Sequence, residues 1–153
     1  MYVMSCLACI SFNAFAQKPV VKKPVNDSVK ITITNLTKTI NSTYPDFAPV
    51  ISADGQTIVF TSRRPYTEKD IKKGKQGLEN VYISYYDIKK KKWADAKALP
   101  ETINEPGRFN SAIALSNDGQ KMLLYRDDAS GNGDIYESQL QGENWMKPYK
   151  FPE

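Results

Sequence analysis

The densest run of oxygen ligands in the chain is Asp127-Asp128-Ala129-Ser130-Gly131-Asn132-Gly133-Asp134. Asp128, Ser130 and Asn132 stand at the first, third and fifth positions of a calcium loop, with Gly133 at the sixth, and Asp134 completes the candidate set. The twelfth position is Gln139, where such a loop needs a bidentate Glu, and the flanks read as strands. A Gly- and Asn-rich hairpin connection competes with the metal reading, and no metal or cofactor is assigned.

Nucleophilic chemistry is closed off more firmly. The chain has no histidine, so neither a Ser-His-Asp nor a Cys-His system can form within it. Its two cysteines, Cys6 and Cys9, both lie in the first ten residues. A zinc site built on His or Cys is therefore excluded from the rest of the chain. There is no glycine-rich phosphate loop and no Gly-x-Ser-x-Gly elbow. Paired carboxylates could hydrolyse a glycoside, but no pair has supporting context. The expectation is a protein that is not an enzyme.

The elements that hold these residues repeat. Ser52-Ala53-Asp54-Gly55-Gln56 returns sixty-four residues later as Ser116-Asn117-Asp118-Gly119-Gln120, each followed by an apolar run. Val81-Tyr82 answers Ile135-Tyr136, Trp93 answers Trp145, and Leu99-Pro100-Glu101 answers Phe151-Pro152-Glu153. Each copy holds four short runs rich in β-branched and aromatic residues, bounded by Gly, Asp, Asn and Pro. The predicted strands are 48–52, 57–62, 80–86 and 93–99, then 111–115, 121–125, 134–139 and 144–150. Gly55 and Gly119 suit hairpins that need positive φ, and Asp54 and Asp118 read as turn residues bonding their own backbone. Trp93, Trp145, Tyr82 and Tyr136 recur at matching places, which argues for packing between repeats. Arg63 is expected to pair with a carboxylate between repeats. Arg126 lies one position earlier in its copy and is not given that role.

Asp54 to Tyr82 spans 28 residues against 18 from Asp118 to Tyr136. The surplus falls in the polar, basic stretch 63–78, read as a solvated loop, with contact to a partner as the sharper alternative. Leu36-Thr37-Lys38-Thr39-Ile40-Asn41 matches Leu99-Pro100-Glu101-Thr102-Ile103-Asn104. The alternating Val29 to Thr34 before it predicts a lone outer strand that could latch a ring.

The pattern Pro49-Val50-Ile51-Ser52-Ala53-Asp54-Gly55, Phe60-Thr61-Ser62-Arg63 and Val81-Tyr82 resembles the TolB-type β-propeller repeat, a relative of the WD-type repeat. The second copy departs from it, with Ile113 for the proline and Tyr125-Arg126-Asp127 where Thr61-Ser62-Arg63 stands. Residues 41–49 are similar to the version in envelope proteins of the OmpA family. The resemblance implies an all-β propeller fragment: two four-stranded antiparallel blades over 43–100 and 101–153, after an outer strand and link over 29–42. It implies a non-catalytic scaffold that binds protein partners in the bacterial envelope. The alternatives are the accessory propeller of an exported serine peptidase or other hydrolase, and a carbohydrate-binding propeller.

Met1 to Ala16 is uncharged, largely apolar and ends Ala14-Phe15-Ala16, which reads as a signal peptide. Residues 17–28 read as a basic linker. The expected location is periplasmic or outer-membrane-associated, with no membrane span after the signal. Net charge is +4, spread over loops and the run Lys89-Lys90-Lys91-Lys92, without a recognised nucleic-acid module. Two blades in 153 residues leave open faces. The expectation is a fragment with further blades in cis, the alternative being a ring of several identical chains.

Overall fold

The structure, a computed structural model, describes residues 30–152. The expected signal peptide, the linker and Val29 lie outside the described residues. Residues 30–33 fall in one unit, and Thr34–Glu153 form a second.

The second unit is mostly β. Sheet 1 comprises β1 (Asp46–Ile51), β2 (Thr57–Ser62), β3 (Asn80–Asp87) and the short β4 (Lys92–Trp93) and β5 (Lys97–Ala98). Sheet 2 comprises β6 (Asn110–Leu115), β7 (Lys121–Asp127), β8 (Gly133–Gln141), β9 (Asn144–Trp145) and β10 (Tyr149–Lys150). Both are curled, antiparallel and ordered along the chain, with the last two strands of each on one edge. Each fourth strand, expected to be continuous, is thus broken in two. The breaks, Ala94–Ala96 and Met146–Pro148, match in the two copies. At each, a buried serine hydroxyl from the neighbouring strand donates to a carbonyl, Ser84 to Ala94 and Ser138 to Met146, both at 2.6 Å. Pro148 has no N–H to give a ladder.

Strand periodicity decides which side chains meet. The rear face of sheet 1 carries Val59, Val81 and Ile83, and the front face of sheet 2 carries Met122, Leu124 and Trp145. Together with Leu99, Ile103 and Ala112 they form one buried cluster. The front of sheet 1 carries Ile58, Phe60 and Tyr82, which cluster with Ile40. The residues of the two fronts correspond: Ile58 with Met122, Phe60 with Leu124, Tyr82 with Tyr136, Trp93 with Trp145, Ile40 with Ile103. Both leading strands also bulge at matching places, between Phe47 and Val50 and between Ala112 and Ala114.

Two expectations need correction. Residues 30–36 form no strand, and Ile31 and Ile33 are exposed. An alternating pattern makes a strand only where an open edge accepts its N–H and C=O groups, and none pairs with it among the described residues. The stretch 63–78, expected as plain loop, contains helix α2 (Glu68–Lys73). The Thr67 side chain accepts the Asp70 N–H at its start, acidic residues fill the first turn and lysines the last, and Gly74 ends it at φ 58°. A four-residue helix, α1 (Thr37–Ile40), precedes sheet 1.

Candidate functional site

The motif turns are the same object built twice. Ser52 Oγ donates to Asp54 Oδ1 at 2.5 Å and Asp54 accepts the Gln56 N–H at 2.9 Å, while Thr57 N–H bonds Ser52 Oγ at 2.9 Å. Ser116, Asp118, Gln120 and Lys121 repeat those bonds at 2.5, 3.0 and 2.9 Å. Gly55 and Gly119 sit at φ 71° and 69°. The serine hydroxyls and backbone N–H groups hold both carboxyls below the ordinary carboxylate range. These carboxylates are occupied in closing hairpins.

The structure pairs Arg126 with Arg64 rather than Arg63. Arg126 is buried; its guanidinium donates to Asn110 Oδ1 at 2.8 Å, Glu105 Oε2 at 3.0 Å and the Ile103 carbonyl at 2.6 Å, and lies 5.2 Å from the Tyr136 ring centre. Arg64 donates to the Ile40 carbonyl, lies 4.9 Å from the Tyr82 ring and 5.3 Å from the Phe60 ring, and pairs with Asp46 Oδ1 at 3.2 Å. Asp46 opens β1 as Asn110 opens β6. The two sites differ in completeness, since Asp46 Oδ1 and Arg64 Nε are buried without a hydrogen-bond partner. Burial pushes the Arg126 guanidinium pKa down and the Glu105 carboxylate opposes it.

Arg63 belongs to the seam between the sheets. It pairs with Glu79 at 2.6 Å, and the other oxygen of Glu79 accepts Ser111 Oγ of sheet 2 at 2.7 Å. Arg63 also lies 5.9 Å from the Phe109 ring. Ala112 N–H bonds Thr61 Oγ1 across the same seam at 3.1 Å. Sequence reasoning missed the most buried clasp, Asn104. Its amide grips Val81 of β3 on both sides, accepting the N–H at 2.7 Å and donating to the carbonyl at 3.0 Å, and it donates to Leu99 at 2.7 Å. Its match to Asn41 was visible, but its backbone partner 23 residues away was not.

Of the four aromatic motif residues expected to pack between repeats, Trp145 and Tyr136 do so, whereas Tyr82 and Trp93 belong to the separate cluster on the front of sheet 1. Trp145 is buried between the sheets, Tyr136 packs against the same cluster, Tyr82 stacks on Phe60 at 5.9 Å, and Trp93 meets Tyr86 edge-on at 5.5 Å. The candidate calcium residues are engaged with the chain itself. Asp128 Oδ1 accepts the N–H groups of Ser130 at 2.8 Å and Asn132 at 3.0 Å, while Asp134 pairs with Lys150 at 3.0 Å. No group of three His, Cys, Asp or Glu that could hold a metal occurs among the described residues.

One surface available for binding lies at the loop end of the seam. An open cleft of about 310 Å³ is lined by Arg63, Glu79, Phe109, Tyr125, Asp127 and Gly131. The stretch holding α2 is anchored beside Arg63, whose carbonyl accepts the Gly77 N–H at 2.9 Å. It exposes Lys69, Lys72, Lys73, Lys75 and Ile71, the last 61% exposed. The cleft has an aromatic wall of Phe109 and Tyr125 but carries two carboxylates, Glu79 and Asp127, against Arg63, whereas α2 presents its lysines around an exposed apolar residue, a surface complementary to an acidic, partly apolar segment of another protein. No helix among the described residues is long and apolar enough to cross a membrane. No family model, curated protein or solved structure matches the chain.

Proposed function

We propose that the chain is a non-catalytic binding and scaffold module of the bacterial cell envelope, exported by its first sixteen residues, and that its two sheets are blades of a TolB-like β-propeller. The observation that carries this reading is the repetition of one sheet design with the same turn, arginine site and aromatic face, stacked front on rear. Such stacking supplies a rigid platform and leaves function to loops. The helix-bearing insertion of the first repeat is the loop that departs from the common design. It is the surface assigned to a protein partner.

The test is made in the envelope. A photo-reactive residue replacing Ile71 should give one discrete cross-linked protein, and reversing Lys69, Lys72 and Lys73 to glutamate should abolish it while the melting temperature holds. A fusion of the first 28 residues to a reporter active only after export should be active. An inactive reporter would remove the envelope assignment. Cross-linking unchanged by charge reversal would remove the role of α2.

A further inference from the structure

We propose that Tyr66 is the positioning residue of the α2 surface. It latches the insertion that carries this helix onto the link between the two sheets, so that Ile71 and the lysines are presented in one fixed orientation. The proposal rests on the reading of α2 as the surface for a protein partner. The insertion is long and its helix is short. Residues 63–79 join β2 to β3, whereas 128–132 join β7 to β8. The short connection closes on itself, the Asp128 N–H donating to the Asn132 carbonyl at 2.5 Å. In the long one α2 has six residues, and a helix shorter than about 12 residues is marginal by itself in water. Its place must be fixed by contacts outside the helix.

At its base the insertion is tied to its own flanks. The Gly77 N–H donates to the Arg63 carbonyl at 2.9 Å, and a Cβ on Gly77 would come within 2.7 Å of the Arg64 carbonyl oxygen, so the returning chain runs tight against the outgoing one. The Asn80 amide donates to the Leu78 carbonyl at 3.2 Å. Between Pro65 and Leu78, one hydrogen bond among the described residues reaches past these flanks. The Tyr66 hydroxyl donates to the Leu99 carbonyl at 3.3 Å. Leu99 lies in the link, and its carbonyl also accepts the Asn104 amide that grips Val81. Tyr66 therefore ends on the clasp that closes the seam. Burial and then the Glu101 carboxylate push its pKa above the ordinary 10.0, with the Asn104 amide opposing, so the hydroxyl remains a donor. Tyr66, Thr67, Asp70 and Leu78 also meet Pro106 and Arg108 of the link around a gap of about 30 Å³, too small for more than a water or two. The helix is thus referenced to the junction of both sheets and not to sheet 1 alone.

The test begins with native-state hydrogen exchange on the full chain. The Ile71 and Gly74 N–H groups, bonded to the Thr67 and Ile71 carbonyls at 3.0 and 3.1 Å, report the opening of α2. Tyr66→Phe keeps the ring and removes the hydroxyl. Both amides should then exchange roughly fivefold faster, because the closed insertion loses a hydrogen bond that its open form already lacks. A bond that merely supports the sheets would stay made when α2 opens, and the two amides would exchange as in the parent. That result would overturn the latch. Tyr66→Ala removes the ring as well. It should lose the discrete cross-linked protein obtained from position 71, while the buried Val59 amide of sheet 1 stays protected. Cross-linking as strong as the parent's would also overturn the proposal. No cross-link from the parent, with exchange shifted as expected, would remove the partner reading and leave the latch standing.

Discussion

Arg64 and Arg126 reach the same point of their repeats from backbone positions that are two residues out of step. Ser62 is the strand counterpart of Arg126, facing Asp46 as Arg126 faces Asn110. Yet it is Arg64 whose guanidinium lies over the Tyr82 ring and bonds the Ile40 carbonyl, as Arg126 does with Tyr136 and Ile103. The common requirement is a long planar cation that can fill a gap between strand and link, satisfy a carbonyl and stack on an aromatic ring at once.

The Arg126 site is the more completely satisfied, so losing it should cost more. Arg126→Lys removes the fork that serves Asn110, Glu105 and Ile103 together. Urea unfolding should show a loss of about 3 kcal/mol, since one ammonium group in place of the fork leaves buried acceptors unpaired beside a buried charge. Arg64→Lys, with one nitrogen already unpartnered, should lose less. Equal losses would mean that hydrogen-bond completeness does not separate the two sites.

Asn104 offers a sharper comparison. Asn104→Ala leaves the buried Val81 N–H without its acceptor, at a cost of about 2–3 kcal/mol. Asn104→Asp keeps that acceptor but turns a carboxylate toward the Val81 and Leu99 carbonyls. It should be the more destabilising of the two at neutral pH and should recover on acidification. An aspartate variant more stable than the alanine variant at pH 7 would contradict the donor role of the Asn104 amide.

The local parts of this fold were legible in the sequence and the long-range parts were not. The Asp-Gly turns and the strands around them are written in consecutive residues, and the structure places three of the eight predicted strands within one residue of their bounds at both ends. Helix α2 had a readable signature too: Thr67 before Glu68, lysines at the end and Gly74 after it. The arginine sites were hidden because alignment compares positions, whereas long side chains compare where their tips end. The expected strand at 29–34 shows the opposite error. Its alternation satisfies the pattern of a strand, but pattern alone supplies no edge to pair with. Asn104 was hidden because its partner is backbone, which leaves no mark on residue type.

Asp46 predicts a pH effect with a definite sign. Burial raises its carboxyl pKa, but the hydrogen bonds from the Ser62 and Ser42 hydroxyls and the Ser42 N–H, together with Arg64, outweigh that and hold it below 3.8. Above that ordinary value the carboxylate is charged in folded and unfolded chains alike, and its stabilisation is complete. As pH falls through the lower folded value the native state must take up the proton, and the stabilisation is lost. Asp46→Asn should flatten this part of the stability profile below about pH 4. The fold should tolerate the change, because sheet 2 already uses Asn110 there. An unchanged acid limb would assign the loss to other carboxylates.

Native-state hydrogen exchange tests most directly whether the two sheets are one cooperative unit closed by a shared seam. The Val81 and Ala112 amides, bonded to Asn104 and to Thr61 across the seam, are the reporters, with Val59 and Leu124 marking the two sheets. All four should exchange through the same global opening, with protection free energies that agree within about 1 kcal/mol. Fast exchange at Val81 and Ala112 while Val59 and Leu124 stay protected would show that the sheets are stable separately and that the seam does not join them.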